Sequence, residues 1–181
     1  MSADVSPDKT TLVPASLLRR LAAVCYDCLP VLALAIIATF PFMPFLNGRV
    51  LIPREVGALA YLYWFVQLAV MGAFFVFFWS RRGQTVGMLP WRLRLQRTDG
   101  MLISPRMAIR RFALLVLLWT PFFAGYWFIW GHWPDRPPRT IAMICSLLPL
   151  IVAYAWVWID RDGRALHDRW TGTRMVVLPK R

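Results

Sequence analysis

Residues 19–31 read RRLAAVCYDCLPV. The stretch places Arg20 and Asp27 seven positions apart. On a helix that is two turns, about 10.5 Å along one face. Asp27 falls inside a long apolar run, near the end where the run begins. A charge inside such a run is costly, so it faces a partner or a wet cavity. Two readings of Asp27 follow: a proton or cation site, or a structural ion pair that ties this helix to its surroundings. Pro30 lies three residues further on and removes a backbone donor to Tyr26, which can kink the helix. Such kinks accompany transport sites and inert membrane helices alike.

Cys25 and Cys28 bracket the aspartate in a C-x-x-C spacing. A redox pair would sit beside a βαβ pattern, which this sequence lacks. A zinc site would need two more ligands from Cys145, His132 and His167. We read the two cysteines as small hydrophobes in packing. The tail DRDGRALHDRWTGT gathers Asp160, Asp162 and Asp168 among Arg161, Arg164 and Arg169. Its D-x-D-G piece lacks the ligands that complete a calcium loop. His167-Asp168 has no serine or cysteine in a recognisable hydrolytic motif. Asp168 is expected to cap a backbone or to pair with an arginine from the middle loop. Phosphate-cradling, zinc-protease and nucleophile-elbow motifs are absent. The sequence therefore predicts no enzyme, no metal and no cofactor.

These residues have to be held by something, and composition says what. The chain is 59% hydrophobic and 17% charged, with a mean hydropathy of +0.52. That is too apolar and too poor in charge for an ordinary soluble domain. Four apolar runs stand out, at about 21–45, 58–79, 112–130 and 141–159. Each is close to the ~20 residues that cross the hydrocarbon core as a helix. Asp4 and Asp8 precede the first run, and the run is too long for a cleaved leader, so it reads as an uncleaved anchor. The expected fold is an all-α integral membrane protein with four transmembrane helices and a small cytoplasmic antiparallel β element. Residues 1–15 form a polar tail, 16–178 the membrane domain, and 179–181 a basic end.

The net charge of +12 sorts by topology. Three of the 21 Lys and Arg residues precede the first run, eight lie between the second and third, and six follow the fourth. Four lie on the other side: Arg49, Arg54, Arg136 and Arg139. The 17 to 4 split puts both termini and the middle loop in the cytoplasm of a plasma (inner) membrane protein. Trp79 and Trp158 fall at inner ends, and Trp127, Trp130 and Trp133 at an outer end, as interfacial indoles do. Basic residues flanking spans do not build a soluble nucleic-acid face, so the expected partner is the bilayer, with anionic lipid at the cytoplasmic side. A homo-oligomer or a membrane-protein partner is the other expectation.

The middle loop has its own pattern. WRLRLQ alternates, with Trp91, Leu93 and Leu95 on one side and Arg92, Arg94 and Gln96 on the other, as in a half-buried strand. Asp99-Gly100 signals a turn, and residues 101–103 form a candidate return strand. Thr173 to Leu178 form another β-like run. Three strands against the spans are expected; an interfacial loop dipping its leucines into lipid is the alternative. Ser104-Pro105 starts the third helix ahead of the membrane. Arg106 and Arg110 share a face there.

Three segments now line up. RRLAAVCYD resembles the opening of the RDD family of membrane proteins, with Arg20 at the start of the first helix and Asp27 inside it. GQTVG, residues 83–87, followed by LRLQRTDG, resembles the family's G-Q-T-x-G segment and the short strand after it. ALHDRWTGTRMVV resembles its closing L-H-D motif, which makes Asp168 the second family aspartate. Met88 and Pro90 depart from the pattern, which has a basic residue after the second glycine. The resemblance implies transport of unidentified ligands, and sodium/proton antiport in some members. The candidate ion, ligand or ion-pair site is Arg20, Asp27 and Asp168, with Arg110, Arg111, His167, Gln84 and Thr85 supporting it. Arg20 and Asp27 are expected to lie close to each other beside the sheet. Transport through Asp27 is one function; a non-catalytic scaffold or accessory subunit is the alternative.

Overall fold

The computed structural model describes residues 12–130 and 139–179. His132, Trp133 and Arg136 lie outside the described residues, as do the side chains of Trp127, Trp130 and Arg139. Three helices are long and apolar enough to cross a membrane: α1 (Leu17–Thr39), which continues as a 3-10 turn to Phe45, α3 (Ala58–Arg81) and α4 (Pro105–Trp130). A single helical turn, α2 (Pro53–Val56), precedes α3. The fourth apolar run forms α5 (Arg139–Ala155), 17 residues long, and ends in a 3-10 turn at Trp156–Trp158. A short helix, α6 (Leu166–Trp170), follows it. Neighbours in sequence pack side by side: α1 on α3, α3 on α4, α4 on α5. In each long helix only 11% of the most apolar window is buried within the protein. The greasy surface is therefore turned outward, as lipid requires.

The protein's own core sits at the arginine-rich end. There β1 (Leu93–Arg97) pairs antiparallel with β2 (Thr173–Val177), Leu95 opposite Met175. Leu93 and Leu95 are fully buried with Ala23, Trp79, Met88, Ile103 and Ala108. Residues 13–15 flank the other edge of β2. Ala15 N–H donates to Met175 at 2.9 Å, and Val177 N–H donates to Val13 at 2.9 Å. This corrects the expected return strand at 101–103. Arg97 N–H bonds Met101 at 2.8 Å to close a turn, and the segment that completes the sheet comes from the N-terminal side. Gln96 also departs from strict alternation. It is buried, and with its amide oxygen facing Arg174 it accepts from Nε and Nη2 at 3.1 Å.

Two further expectations are corrected here. Trp79 is no interfacial anchor: it is buried in the core with the Arg111 guanidinium 5.2 Å from its ring. Cys25, Cys28 and Cys145 are free and exposed, so they face outward and do not pack in the core.

Backbone geometry explains the two glycines of GQTVG. Gly83 stops α3 with φ +68°, the left-handed conformation common just after a helix end, and a Cβ there would lie 2.6 Å from the Leu95 carbonyl. Gly87 has a different reason: it lies against α1, where a Cβ would meet the Ala23 carbonyl at 2.3 Å and the Asp27 nitrogen at 2.6 Å. Gly87→Ala must therefore push the loop off the helix, and about 3 kcal/mol of stability is the expected loss. The neighbouring exposed Val86→Ala should change stability by less than about 0.5 kcal/mol. Denaturant or thermal unfolding in detergent compares the two variants, and equal effects would refute the contact.

Candidate functional site

The face read from the i, i+7 spacing is real: the buried residues of α1 are Arg20, Ala23 and Asp27. The expected pairing is not. Among the described residues, no ion pair joins Arg20 to Asp27. Each leads a separate cluster, because each turn of the helix meets a different segment of the basic end.

The first cluster is built around Asp168 at the start of α6, which is 0% exposed. Its Oδ2 accepts from Arg20 of α1 and its Oδ1 from Arg111 of α4. Its own helix start contributes too, as Ala165 N–H donates to Oδ2 at 3.3 Å. Arg20 also gives Nε to the Ala15 carbonyl at 3.0 Å and Nη2 to the Gly163 carbonyl at 2.9 Å. Arg111 gives Nη1 to Thr173 Oγ1 at 2.9 Å. Arg20 and Arg111 are each 2% exposed. One carboxylate thereby binds the residues before α1, α1 itself, α4, the loop before α6, and β2. Asp160 and Arg164 form a flanking pair, with Nε donating to Oδ2 at 3.0 Å.

The second cluster is built on Asp27, which is 6% exposed. Thr85 Oγ1 donates to its Oδ2, and Gly87 N–H donates to its Oδ1 at 2.8 Å. Gln84 does not reach the carboxyl: its Nε2 donates to the Leu93 carbonyl at 2.6 Å and holds the loop to β1. Met88, where a basic residue was expected, turns inward and is buried; Thr85 N–H lies 3.3 Å from its sulfur. The G-Q-T-V-G loop is thus a cap whose polar groups satisfy a carboxyl on α1.

The profile of the RDD family matches residues 14–172. The chain belongs to the RDD family. No curated protein and no solved structure matches it. In this RDD protein Arg20, Asp27 and Asp168 are all buried, and each is bonded by the chain's own groups. Of the supporting residues, Arg111, His167, Gln84 and Thr85 lie in or beside the clusters. Arg110 does not: it is exposed. Thr173 was missed by sequence reasoning. Its signal was a polar β-branched residue at the inward, first position of a strand.

The electrostatics favour a fixed clasp. Burial alone would push the Asp168 carboxyl up, but Arg111, His167 and Arg20 together hold it well below the usual carboxylate range. Burial pushes His167 down to about 3; Asp168 opposes this, and Arg111 and Arg20 reinforce it. His167 is therefore neutral at physiological pH, and the two guanidiniums do most to keep Asp168 ionised. Its ring lies edge-on to Tyr154 at 5.4 Å, and its Nδ1 is buried without a hydrogen-bond partner.

Because the folded pKa of His167 lies below its ordinary value near 6.5, the unfolded chain takes up a proton that the folded chain refuses. The neutral imidazole's stability is complete above pH ~6.5 and falls as pH drops toward about 3. Lowering pH from 7 to 5 should cost about 2 kcal/mol, the slope approaching ~1.4 kcal/mol per unit below pH ~6. His167→Phe keeps a ring against Tyr154 and should flatten that slope. Unfolding midpoints measured from pH 7 to 5 check it; a slope unchanged in the variant would refute the assignment.

Proposed function

We propose that this RDD protein is a non-catalytic membrane scaffold or accessory subunit, whose signature residues fix a rigid basic face for a membrane-protein partner. One observation carries the reading: all four carboxyl oxygens of Asp27 and Asp168 accept hydrogen bonds from the chain's own donors. A passenger ion would have to share each carboxyl with donors already bonded to it. In this reading the protein is multi-pass in the plasma (inner) membrane with both termini in the cytoplasm. The 17 to 4 distribution of basic residues supports that orientation. A fourth crossing is supported by length: α5 reaches about 25 Å, and its 3-10 extension adds about 6 Å, together close to the ~30 Å hydrocarbon core.

Transport of an unidentified ion or small ligand with Asp27 as titrating group is the second reading. Beyond Asp27, a polar patch within the helices favours it. Gln67 donates to the Ala35 carbonyl at 3.0 Å and to Thr39 at 3.1 Å, while its Oε1 is buried with no partner.

Asp27→Asn separates the two. An amide can still accept from Gly87 N–H, and its NH2 can donate to the Thr85 oxygen, but it cannot titrate. The scaffold reading expects Asp27→Asn to keep stability within about 1 kcal/mol and Asp27→Ala to lose about 2–4 kcal/mol. It also expects proton flux in vesicles under an imposed sodium or pH gradient to equal that of protein-free vesicles. Flux by the native chain that disappears in a well-folded Asp27→Asn protein would overturn the scaffold and establish transport.

A further inference from the structure

A groove with a volume of about 380 Å3 runs between α3 and α4 on the outside of the helix layer. On α3 its wall extends from Phe65 through Ala69 and Gly72 to Val76, and on α4 it comprises Ile109 and Phe112. The twelve residues of helix from Phe65 to Val76 span eleven rises, about 16 Å, close to the ~15 Å of a single leaflet. The groove is apolar, as an acyl chain requires. Its α4 wall begins in the second turn of that helix, beside the arginine-rich end. Arg106 precedes Ile109 by about one turn, and Arg110 stands one residue after it, about 100° further round the helix on the face it shares with Arg106. Both arginines are exposed, and among the described residues neither makes an ion pair or a hydrogen bond. Their neighbour Arg111, by contrast, is consumed by Asp168. The arginines also stand in the first two turns of a 26-residue helix, whose N-terminal dipole adds to the attraction for an anion.

We propose that this groove is a site for one anionic phospholipid, with an acyl chain along Phe65–Val76 of α3 and its phosphate on Arg106 and Arg110. A second copy of the chain is the competing occupant, since Ala69, Gly72 and Ala73 are small enough for helix contact. Two observations count against it. Gly72 is already covered by Phe112, whose ring would lie 2.9 Å from a Cβ there. Two parallel copies would also set Arg106 and Arg110 at the same level as their counterparts, and like charges would repel. The site depends on the membrane assignment but not on whether the protein is a scaffold or a transporter.

Native mass spectrometry of the detergent-purified chain with equal amounts of dioleoylphosphatidylglycerol and dioleoylphosphatidylcholine tests it. The native chain should retain the phosphatidylglycerol about tenfold more than the phosphatidylcholine. The double variant Arg106→Gln/Arg110→Gln should retain the two about equally, with its unfolding midpoint unchanged because neither arginine bonds the fold. Ala69→Phe, at a position facing out of the bundle, should fill the groove and reduce retention of both lipids. Equal retention by the native chain would overturn the proposal, as would undiminished preference in the arginine double variant. A dimer that Ala69→Phe dissolves would assign the groove to a second copy instead.

Discussion

The architecture of the basic end depends on one buried carboxylate. Asp168 lies between Arg20 and Arg111, and all three are removed from water. Burying three charges is expensive, and attraction repays that cost only where geometry is good and the remaining donors are satisfied. Here that holds for Arg20 better than for Arg111, whose Nε is buried without a partner. Arg20 spends its other donors on two carbonyls, and Arg111 spends one on Thr173 while its guanidinium rests over Trp79. The cluster carries one more positive charge than negative, with neutral His167 beside it. Carbonyl dipoles and an indole face absorb that excess.

A clasp of this kind answers a difficulty particular to membrane helices. Lipid tails are as apolar as leucine, so little hydrophobic force draws one span to another. The long helices accordingly bury only a small part of their apolar surface in each other. Their arrangement has to come from close contacts and polar ties. Asp168 supplies one tie, linking the start of α1 to the start of α4. Asp27 supplies a second, two turns along α1, holding the loop that follows α3. Gln67 supplies a third, linking α3 to Ala35 and Thr39 of α1. Gly87 permits the second tie only because it has no side chain, which links the G-Q-T-V-G composition directly to the aspartate it caps.

Much of this was legible from periodicity. The i, i+7 spacing put Arg20 and Asp27 on one face, alternation located the strand near Leu93, and a β-like run located the one at Thr173. What spacing could not give was the identity of the group opposite each face. Arg20 meets a residue 148 positions away, and Asp27 meets a loop 58 to 60 positions away. Local pattern carries no information at that range. The return strand at 101–103 failed for the same reason. A D-G turn is a local signal, and the partner that β1 takes lies beyond the last helix. Gln96 and Trp79 read as surface or interface residues by type. Both are buried because a long-range arginine, Arg174 or Arg111, reaches each of them.

The three arginines at the start of α4 show how far position governs role. Arg106, Arg110 and Arg111 have the same chemistry and the same helix, yet they do different work. One residue on a helix is a rotation of about 100°, so Arg111 turns into the bundle while Arg110 turns out of it. Inside, a guanidinium can persist only with a fixed carboxylate, which confines Arg111 to structure. Outside, where Arg106 and Arg110 are exposed, the same group needs no partner from the protein and remains available for an anion. A motif counted as basic residues would treat the three alike. The helix geometry divides them into one arginine spent on the buried clasp and two left exposed, so the same short segment anchors the fold while keeping two guanidiniums free.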